Sequence, residues 1–202
     1  MTGYLKRTTM KELSEELVLL RALRDMNQPK FIHDDAVLFQ SLLNDLFPHV
    51  SCPSVPYEDL HRSINRALMD HQYIPVSEQI EKMIQLYDTM RTRHSTMLVG
   101  PTSGGKTVIL NTLAEAQTHM GVKTSLYTVN PKAMSVIELY GTLDPLTREW
   151  TDGVVSMLYR MINRPTQRHE RRYIVFDGDV DALWIENMVK CCSRSPFDLT
   201  GI

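Results

Sequence analysis

The stretch GPTSGGKT, residues Gly100 to Thr107, decides the fold class of this 202-residue chain. Its spacing, G-x-x-x-x-G-K-[ST], is the pattern of a loop that wraps the phosphates of a nucleotide. Gly100 and Gly105 let the backbone turn its N–H groups inward, where the positive end of a following helix adds to the attraction for phosphate. The residues predicted to contact the nucleotide are Gly100, Pro101, Thr102, Ser103, Gly104, Gly105, Lys106 and Thr107.

The last two residues of the loop are expected to contact the phosphates and the metal ion through their side chains. Lys106 is predicted to place its ammonium on the β- and γ-phosphate oxygens, and Thr107 to offer its hydroxyl to Mg²⁺, which prefers oxygen ligands. In the alternative interpretation, a plain strand-to-helix turn, Lys106 would lie against a helix N-terminus without a compensating anion. The pattern therefore favours ATP or ADP with Mg²⁺ as the bound cofactors.

The residues around the loop alternate between strand and helix patterns. TMLVG, before the loop, is a short apolar strand candidate, and KTSLYTVN and RRYIVFDG are predicted to be a second and a third strand. Helices are predicted at 106–120, around 133–140 and at 154–162. Strands that alternate with helices indicate an α/β protein with a parallel sheet.

A second part of the nucleotide site is predicted at the end of the third strand. Asp177 follows four apolar residues suited to a buried strand, so we expect it beside Thr107 as the acid on the Mg²⁺ side. The alternative role for an aspartate at a strand end is to form a turn or cap a helix. The next residue, Gly178, has no side chain to position water, so no catalytic residue is assigned. Asp179 and Asp181 are the remaining substitutes for this role, but they lie further along a turn and are expected to cap the helix that follows.

Helical patterns occupy the chain before the loop. Thr9 and Glu12 form a capping-box start, and the apolar stripe that follows ends before Pro29. A second helix is predicted to begin near Asp34 and to stop at Pro48. The proline-rich stretch SCPSVPYE then indicates a linker. Beyond it, apolar spacing predicts two more helices, at 60–68 and after 77.

Composition narrows the class of partner. Apolar residues make up 43% of the chain, and 22 basic residues nearly balance 24 acidic ones, so no overall field favours nucleic acid or an anionic membrane. No apolar run approaches the roughly 18 residues of a membrane span, and the N-terminus has no signal core. A soluble intracellular protein is expected. Cys52, Cys191 and Cys192 fit neither a disulfide framework nor a spaced zinc site, so we expect reduced thiols.

Several motifs in order resemble a known family. MLVGPTSGGKT, VNPKAMSVIELYG, LTREWTDGVVS and DGDVDALWIENM closely resemble the second AAA+ module of dynein heavy chains, and are nearer to axonemal than to cytoplasmic dyneins. LLRALRDMNQPKF and DDAVLFQSLLNDLFP resemble the small helical subdomain that ends the first module. The similarity covers roughly residues 10–188. The residues after 188 form a tail that does not resemble the family.

The resemblance implies a domain organisation. It places a helical small subdomain of a preceding AAA+ module at 1–50, a linker and helix at 51–72, a partial AAA+ P-loop nucleotide-binding domain at 73–188 and a divergent tail at 189–202. The implied fold is an incomplete P-loop NTPase parallel sheet preceded by a small all-helical subdomain. The usual AAA+ strand order is 5-1-4-3-2, so the strand between the first and the third is missing, and both neighbours would lose ladder partners.

The resemblance also implies a function. The chain is expected to be an ATP-binding, non-hydrolysing, regulatory segment of an axonemal dynein heavy chain, a microtubule-based motor of cilia. This would place it in the cytoplasm, on the cytoskeleton of the ciliary axoneme, with neighbouring AAA+ modules and dynein intermediate and light chains as partners in the full-length context. No direct microtubule-binding region, nucleic-acid site or membrane contact is expected in this chain.

The resemblance extends to two further site positions, and two other functions stay open. Arg21 matches a sensor arginine that faces the first module's γ-phosphate, with Arg24 as second choice; the alternative for Arg21 is a solvated helix arginine. Tyr73 to Val76 matches the region that packs against adenine.

The other functions are a truncated inactive fragment, which the tail favours, and a small independent NTPase or kinase. The latter needs a base and a basic lid, and neither is evident after Asp177.

Overall fold

The computed structural model describes residues 15–50, 57–93, 95–165, 170–181 and 183–188. These fall into two compact units, divided between Gly121 and Val122. The capping-box start at Thr9 and Glu12, the three cysteines, most of the predicted linker and the tail at 189–202 lie outside the described residues. None of the helices in the described part of the chain is long and apolar enough to cross a membrane.

The described part of the first unit is helical. Its helices are α1 (Glu15–Asn27), α2 (His33–Leu46), α3 (Glu58–Asp70), α4 (Ser77–Thr92) and α5 (Lys106–His119). Pro29 lies in a 3-10 turn, Gln28–Lys30, that ends α1, because proline cannot continue the α-helical hydrogen-bond pattern. These helices confirm the predicted helical patterns, and α4 begins at Ser77 itself, one residue before the predicted start.

The core of the first unit lies between α3, α4 and α5. Apolar residues three and four apart place one face of each helix in contact with the other two. The buried members are Leu60, Ile64, Leu68, Ile80, Met83, Leu86, Ile109, Leu113 and Ala116. Burying each large aliphatic side chain stabilises the fold by about 1.5–3 kcal/mol. This packing holds α5, whose N-terminus is the end of the glycine-rich loop.

The predicted strand before the loop is absent. Residues 95–100 form no strand, and the two ladders of the described residues join other segments. Leu98 instead packs against the helical core, while Met97 and Val99 are 74% and 91% exposed. An extended segment becomes a strand only when a neighbour accepts its backbone hydrogen bonds. The prediction of a strand at TMLVG is therefore wrong, although the segment is apolar enough for one.

The second unit is built on a two-stranded parallel sheet. The strands are β1 (Lys123–Val129) and β4 (Glu170–Phe176), paired in register from Lys123 with Glu170 to Val129 with Phe176. They confirm the second and third predicted strands. Helices α6 (Val136–Tyr140) and α7 (Val154–Ile162) lie between them in sequence, and α7 begins and ends at the predicted residues. The mixture of parallel strands and helices matches the predicted α/β class.

An antiparallel hairpin in the second unit was not predicted. Its strands are β2 (Gly141–Leu143) and β3 (Trp150–Asp152). Between them, the carboxylate of Asp144 accepts hydrogen bonds from the backbone N–H groups of Leu146 at 2.7 Å and Thr147 at 3.1 Å. These bonds to the ionised form lower the pKa of Asp144. Strands of three residues are too short to show an alternating pattern in the sequence.

Candidate functional site

The glycine-rich loop adopts backbone conformations that its sequence was expected to need. Gly105 is left-handed, with φ of +79°, and is the N-cap of α5. Ser103 also has a positive φ, +64°, which is uncommon outside glycine. The N–H of Gly104 donates to the carbonyl oxygen of Pro101 at 3.1 Å, and a Cβ on Gly104 would lie only 3.0 Å from that oxygen. The loop is thus tightly turned between Pro101 and Gly105.

The backbone N–H groups in the first turn of α5 carry partial positive charge and have no hydrogen-bond partner within the helix. The N–H of Ile109 donates to Gly105 at 2.9 Å, and the N–H groups before it belong to the orphan donors of any helix start. No acidic side chain lies in this first turn, and the N-cap is a glycine with no side chain to cap it. An anion is the group that best satisfies such a helix end.

The side chain of Lys106 lies across the loop. Its Nζ donates to the carbonyl oxygens of Gly100 at 2.9 Å and Pro101 at 2.7 Å. The side chain of Thr107, one residue further along α5, is exposed. The structure thus brings Gly100, Pro101 and Lys106 together, while nucleotide contact by these residues stays a prediction.

Sequence reasoning missed one residue beside the loop. A Cβ on Gly105 would lie 3.6 Å from Nε2 of Gln79, in the first turn of α4. Gln79 has no motif around it, so only the packing of α4 against α5 could reveal this neighbour. The residues assigned to adenine contact come just before α4, where Tyr73, Ile74 and Val76 are exposed. Their contact with a base stays a prediction.

Asp177 comes directly after β4, as predicted. Its N–H donates to the carbonyl oxygen of Val129 at 2.9 Å, which extends the pairing with β1 by one bond, and its side chain is exposed. Thr107 lies in the first unit and Asp177 in the second. The shared Mg²⁺ site expected of these two residues therefore stays a prediction.

The carboxylates after Asp177 have separate roles. Asp181 accepts from the N–H of Leu183 at 3.2 Å and caps the helical residues 183–188, as expected. Asp179 instead accepts from Nζ of Lys132 at 2.6 Å, and this hydrogen bond lowers the pKa of Asp179. The expectation that the side chain of Asp179 caps the helix is thus wrong, because a lysine of the second unit lies within its reach.

Gly178 is not required by the backbone. A Cβ there would lie 3.4 Å from Cδ of Pro131 and 3.5 Å from Oδ1 of Asn130, which are ordinary contact distances. An alanine would therefore fit at this position. The absence of a side chain at Gly178 is a chemical feature of the site and does not follow from crowding.

Arg21 is buried. It is 6% exposed and pairs through Nε with Asp25 at 3.3 Å, so the alternative of a solvated helix arginine is wrong. The charge of Arg21 also acts on Asp88, whose carboxylate accepts a hydrogen bond from the hydroxyl of Tyr57 at 2.6 Å. Burial raises the pKa of Asp88, whereas the hydrogen bond from Tyr57 and the charges of Arg91 and Arg21 lower it. A sensor role for Arg21 stays a prediction.

Comparison with known proteins identifies relatives of the chain. The family described as the hydrolytic ATP binding site of the dynein motor region matches residues 1–107. Dynein axonemal heavy chain 10 of Homo sapiens is 56% identical over 188 residues, covering 93% of this chain and 4% of that protein. The Dynein-1-alpha heavy chain of the flagellar inner arm I1 complex of Chlamydomonas reinhardtii is 58% identical over 193 residues. This match also covers 93% of this chain and 4% of that protein. This chain thus spans about 4% of the length of these two relatives.

Proposed function

This chain belongs to the dynein heavy chain family, and we propose that it is an ATP-binding segment of an axonemal dynein heavy chain. The observation that carries the proposal is the loop geometry: a left-handed Gly105 caps α5, and Lys106 lies across the loop. This arrangement brings the N–H groups of a helix start and an ammonium to one helix end, the combination that binds nucleotide phosphates.

Each loop residue has a defined role in this proposal. The backbone N–H groups of Gly105, Lys106 and Thr107 hold the β-phosphate. Lys106 exchanges the carbonyl oxygens of Gly100 and Pro101 for oxygens of the β- and γ-phosphates, which carry full charge and form the stronger hydrogen bonds. The hydroxyl of Thr107 and the carboxylate of Asp177 are each proposed as an Mg²⁺ ligand, since both are oxygen donors of the kind this ion prefers.

We further propose that the site binds ATP without hydrolysing it. Gly178 offers no side chain to position the attacking water, and the nearby Asp179 is paired with Lys132 at 2.6 Å. The family match, whose description includes the word hydrolytic, ends at Thr107 and does not include these residues. Bound nucleotide would then act as a regulatory ligand, changing stability and contacts without turnover.

The wider setting is proposed from the names of the relatives. Those names describe axonemal and flagellar inner-arm dynein heavy chains. We accordingly place the chain on the cytoskeleton of the ciliary axoneme, as part of a microtubule-based motor. Neighbouring AAA+ modules and dynein intermediate and light chains are the proposed partners. The proposed organisation is a small helical subdomain at 1–50, a linker and helix at 51–72, and a partial P-loop domain at 73–188.

The test is titration calorimetry with MgATP and MgADP on the full chain. Wild-type protein is expected to bind both, and Lys106→Ala to bind at least about tenfold more weakly, which corresponds to about 1.4 kcal/mol. Lys82→Ala is the matched control, since Lys82 is an exposed lysine of α4 that donates to Gln85. Equal affinities in wild type and Lys106→Ala would remove the loop from the site, and absence of binding by wild type would favour an inactive fragment.

A further inference from the structure

A cluster of ionisable side chains lies where α3 and α5 end together. Asp70 is the last residue of α3, and His71 is its C-cap. Glu115 and His119 are one turn apart near the end of α5. One ligand atom from each of Asp70, Glu115 and His119 lies within 4.8 Å of the other two. No motif marks this cluster, because its two halves are 44 residues apart in sequence.

The spacing of these atoms is close to that of a metal ligand set. Nε2 of His119 lies 3.7 Å from Oδ2 of Asp70 and 3.9 Å from Oε1 of Glu115. Around a tetrahedral Zn²⁺ with bonds of about 2.0–2.2 Å, neighbouring ligand atoms are roughly 3.3–3.6 Å apart. The third pair, Asp70 and Glu115, lies within 4.8 Å, so side-chain adjustments of up to about 1 Å would bring these three atoms onto one ion.

The fourth side chain supplies an outer contact. Nε2 of His71 lies 2.7 Å from Oε2 of Glu115, the oxygen that does not face His119. A ligating carboxylate is commonly held by such a hydrogen bond, which fixes its orientation toward the ion. His71 in turn stacks on Tyr73, with ring centroids 5.7 Å apart. The cluster thus contains three candidate ligands and one residue that orients the central ligand.

The cluster lies on two helices that are packed together in the core, and one side of it is exposed to solvent. Leu68 and Leu113, on the same two helices, are each 1% exposed and belong to the core that packs α3 against α5. In contrast, the side chains of Asp70 and His71 are about half exposed. An ion could enter from solvent and keep a water molecule as its fourth ligand.

We propose that Asp70, Glu115 and His119 bind a divalent transition-metal ion of the Zn²⁺ class, with His71 as the positioning residue of Glu115. Two carboxylates give the ligand set a negative charge that suits a dication, and the imidazole favours zinc over magnesium or calcium. The bound ion ties the C-terminal turn of α5 to the end of α3. That turn is about 20 Å along α5 from the phosphate loop, so the two sites do not share residues.

The test uses Zn²⁺ alone, titrated into the full chain without nucleotide. Cys52, Cys191 and Cys192 are changed to Ser in every variant, so that thiolates do not compete. We expect one Zn²⁺ per chain, with binding lost in His119→Ala. His71→Ala is expected to bind about 10–100-fold more weakly, the usual loss for an outer-shell partner. The matched control is His61→Ala, because His61 is an exposed histidine of α3 whose side chain contacts Asn65.

A second measurement covers the case in which His119→Ala does not fold. Glu115→Gln keeps the shape of the side chain and removes its charge, and it should lose the rise in thermal stability that Zn²⁺ gives the parent chain. Co²⁺ substituted for Zn²⁺ should give the visible absorption of a tetrahedral site in the parent and not in Glu115→Gln. The proposal is overturned if the parent does not bind Zn²⁺, or if His119→Ala or Glu115→Gln binds it as the parent does.

Discussion

The ammonium of Lys106 lies 2.7 Å from the carbonyl oxygen of Pro101, five residues earlier in the same loop. The loop is thus closed by its own lysine, and the two carbonyl groups that Lys106 contacts hold it in place. In the proposed site, a backbone that is already turned loses little conformational entropy when a phosphate arrives, and Lys106 exchanges its carbonyl partners for phosphate oxygens. The local geometry therefore favours nucleotide binding, provided that the turn at Gly105 keeps its left-handed backbone.

The first prediction tests that turn with Gly105→Ala. Alanine at a φ of +79° costs about 1–2 kcal/mol, and relaxation of the strained turn would move the N–H groups that face the phosphate. Affinity for MgADP is expected to fall at least about tenfold. Gly121→Ala is the matched control: its φ is +91° and no atom crowds its Cβ, so it should lose similar stability with unchanged affinity. Equal loss of affinity in both variants would contradict the prediction.

The second prediction is that the wild-type chain does not turn over ATP. A positioned general base contributes about 10²–10⁴-fold to such a reaction, and Gly178 cannot supply one. Phosphate release by wild type is expected to equal that of Lys106→Ala, measured side by side at the same purity. Turnover that depends on Lys106 would show that another group activates the water.

Local pattern was sufficient to predict most of the helices and the two long strands. Helix α7 begins and ends where apolar spacing indicated, and β1 and β4 are the segments that contain the longer apolar runs. In each case the residues that define the element are neighbours in sequence. The glycine-rich loop belongs to the same group, because its backbone conformation depends on its own glycines.

The failures involve contacts between distant residues. Residues 97–99 are apolar, but a strand also needs a partner that the local sequence cannot reveal. The ion pair between Lys132 and Asp179, at 2.6 Å, joins residues 47 positions apart, and the sequence instead indicated a helix cap for this aspartate. The burial of Arg21 depends in the same way on packing by other helices. Such features require the three-dimensional structure.

The third prediction concerns pH and the bond between Tyr57 and Asp88. Burial raises the pKa of Asp88, so the folded state binds this proton more tightly than the unfolded chain does. Stability contributed by this group is therefore lost as the pH rises from the unfolded value, about 3.9, through the raised folded value. Asp88→Asn keeps an acceptor for the Tyr57 hydroxyl and removes this titration.

The variants at Asp88 are compared by urea unfolding between about pH 4 and pH 7. The stability of Asp88→Asn relative to wild type is expected to increase with pH, since only wild type must bury a charge. Asp88→Ala is the matched control, because it leaves the hydroxyl of Tyr57 without this acceptor, at a cost of about 1–3 kcal/mol. A constant difference between Asp88→Asn and wild type over this range would be evidence against the raised pKa.

The last prediction compares two glycines of the second unit. A Cβ on Gly141 would lie 2.3 Å from the carbonyl oxygen of Thr151, and its φ is +108°, so any side chain must displace the hairpin. Gly141→Ala is expected to destabilise the chain by at least about 2 kcal/mol, from strain and overpacking together. Gly178→Ala adds the same atom at ordinary contact distance and should change stability by no more than about 0.5 kcal/mol. Thermal unfolding of both variants measures the difference, and a Gly178→Ala protein as unstable as Gly141→Ala would mean that Gly178 is held by crowding after all.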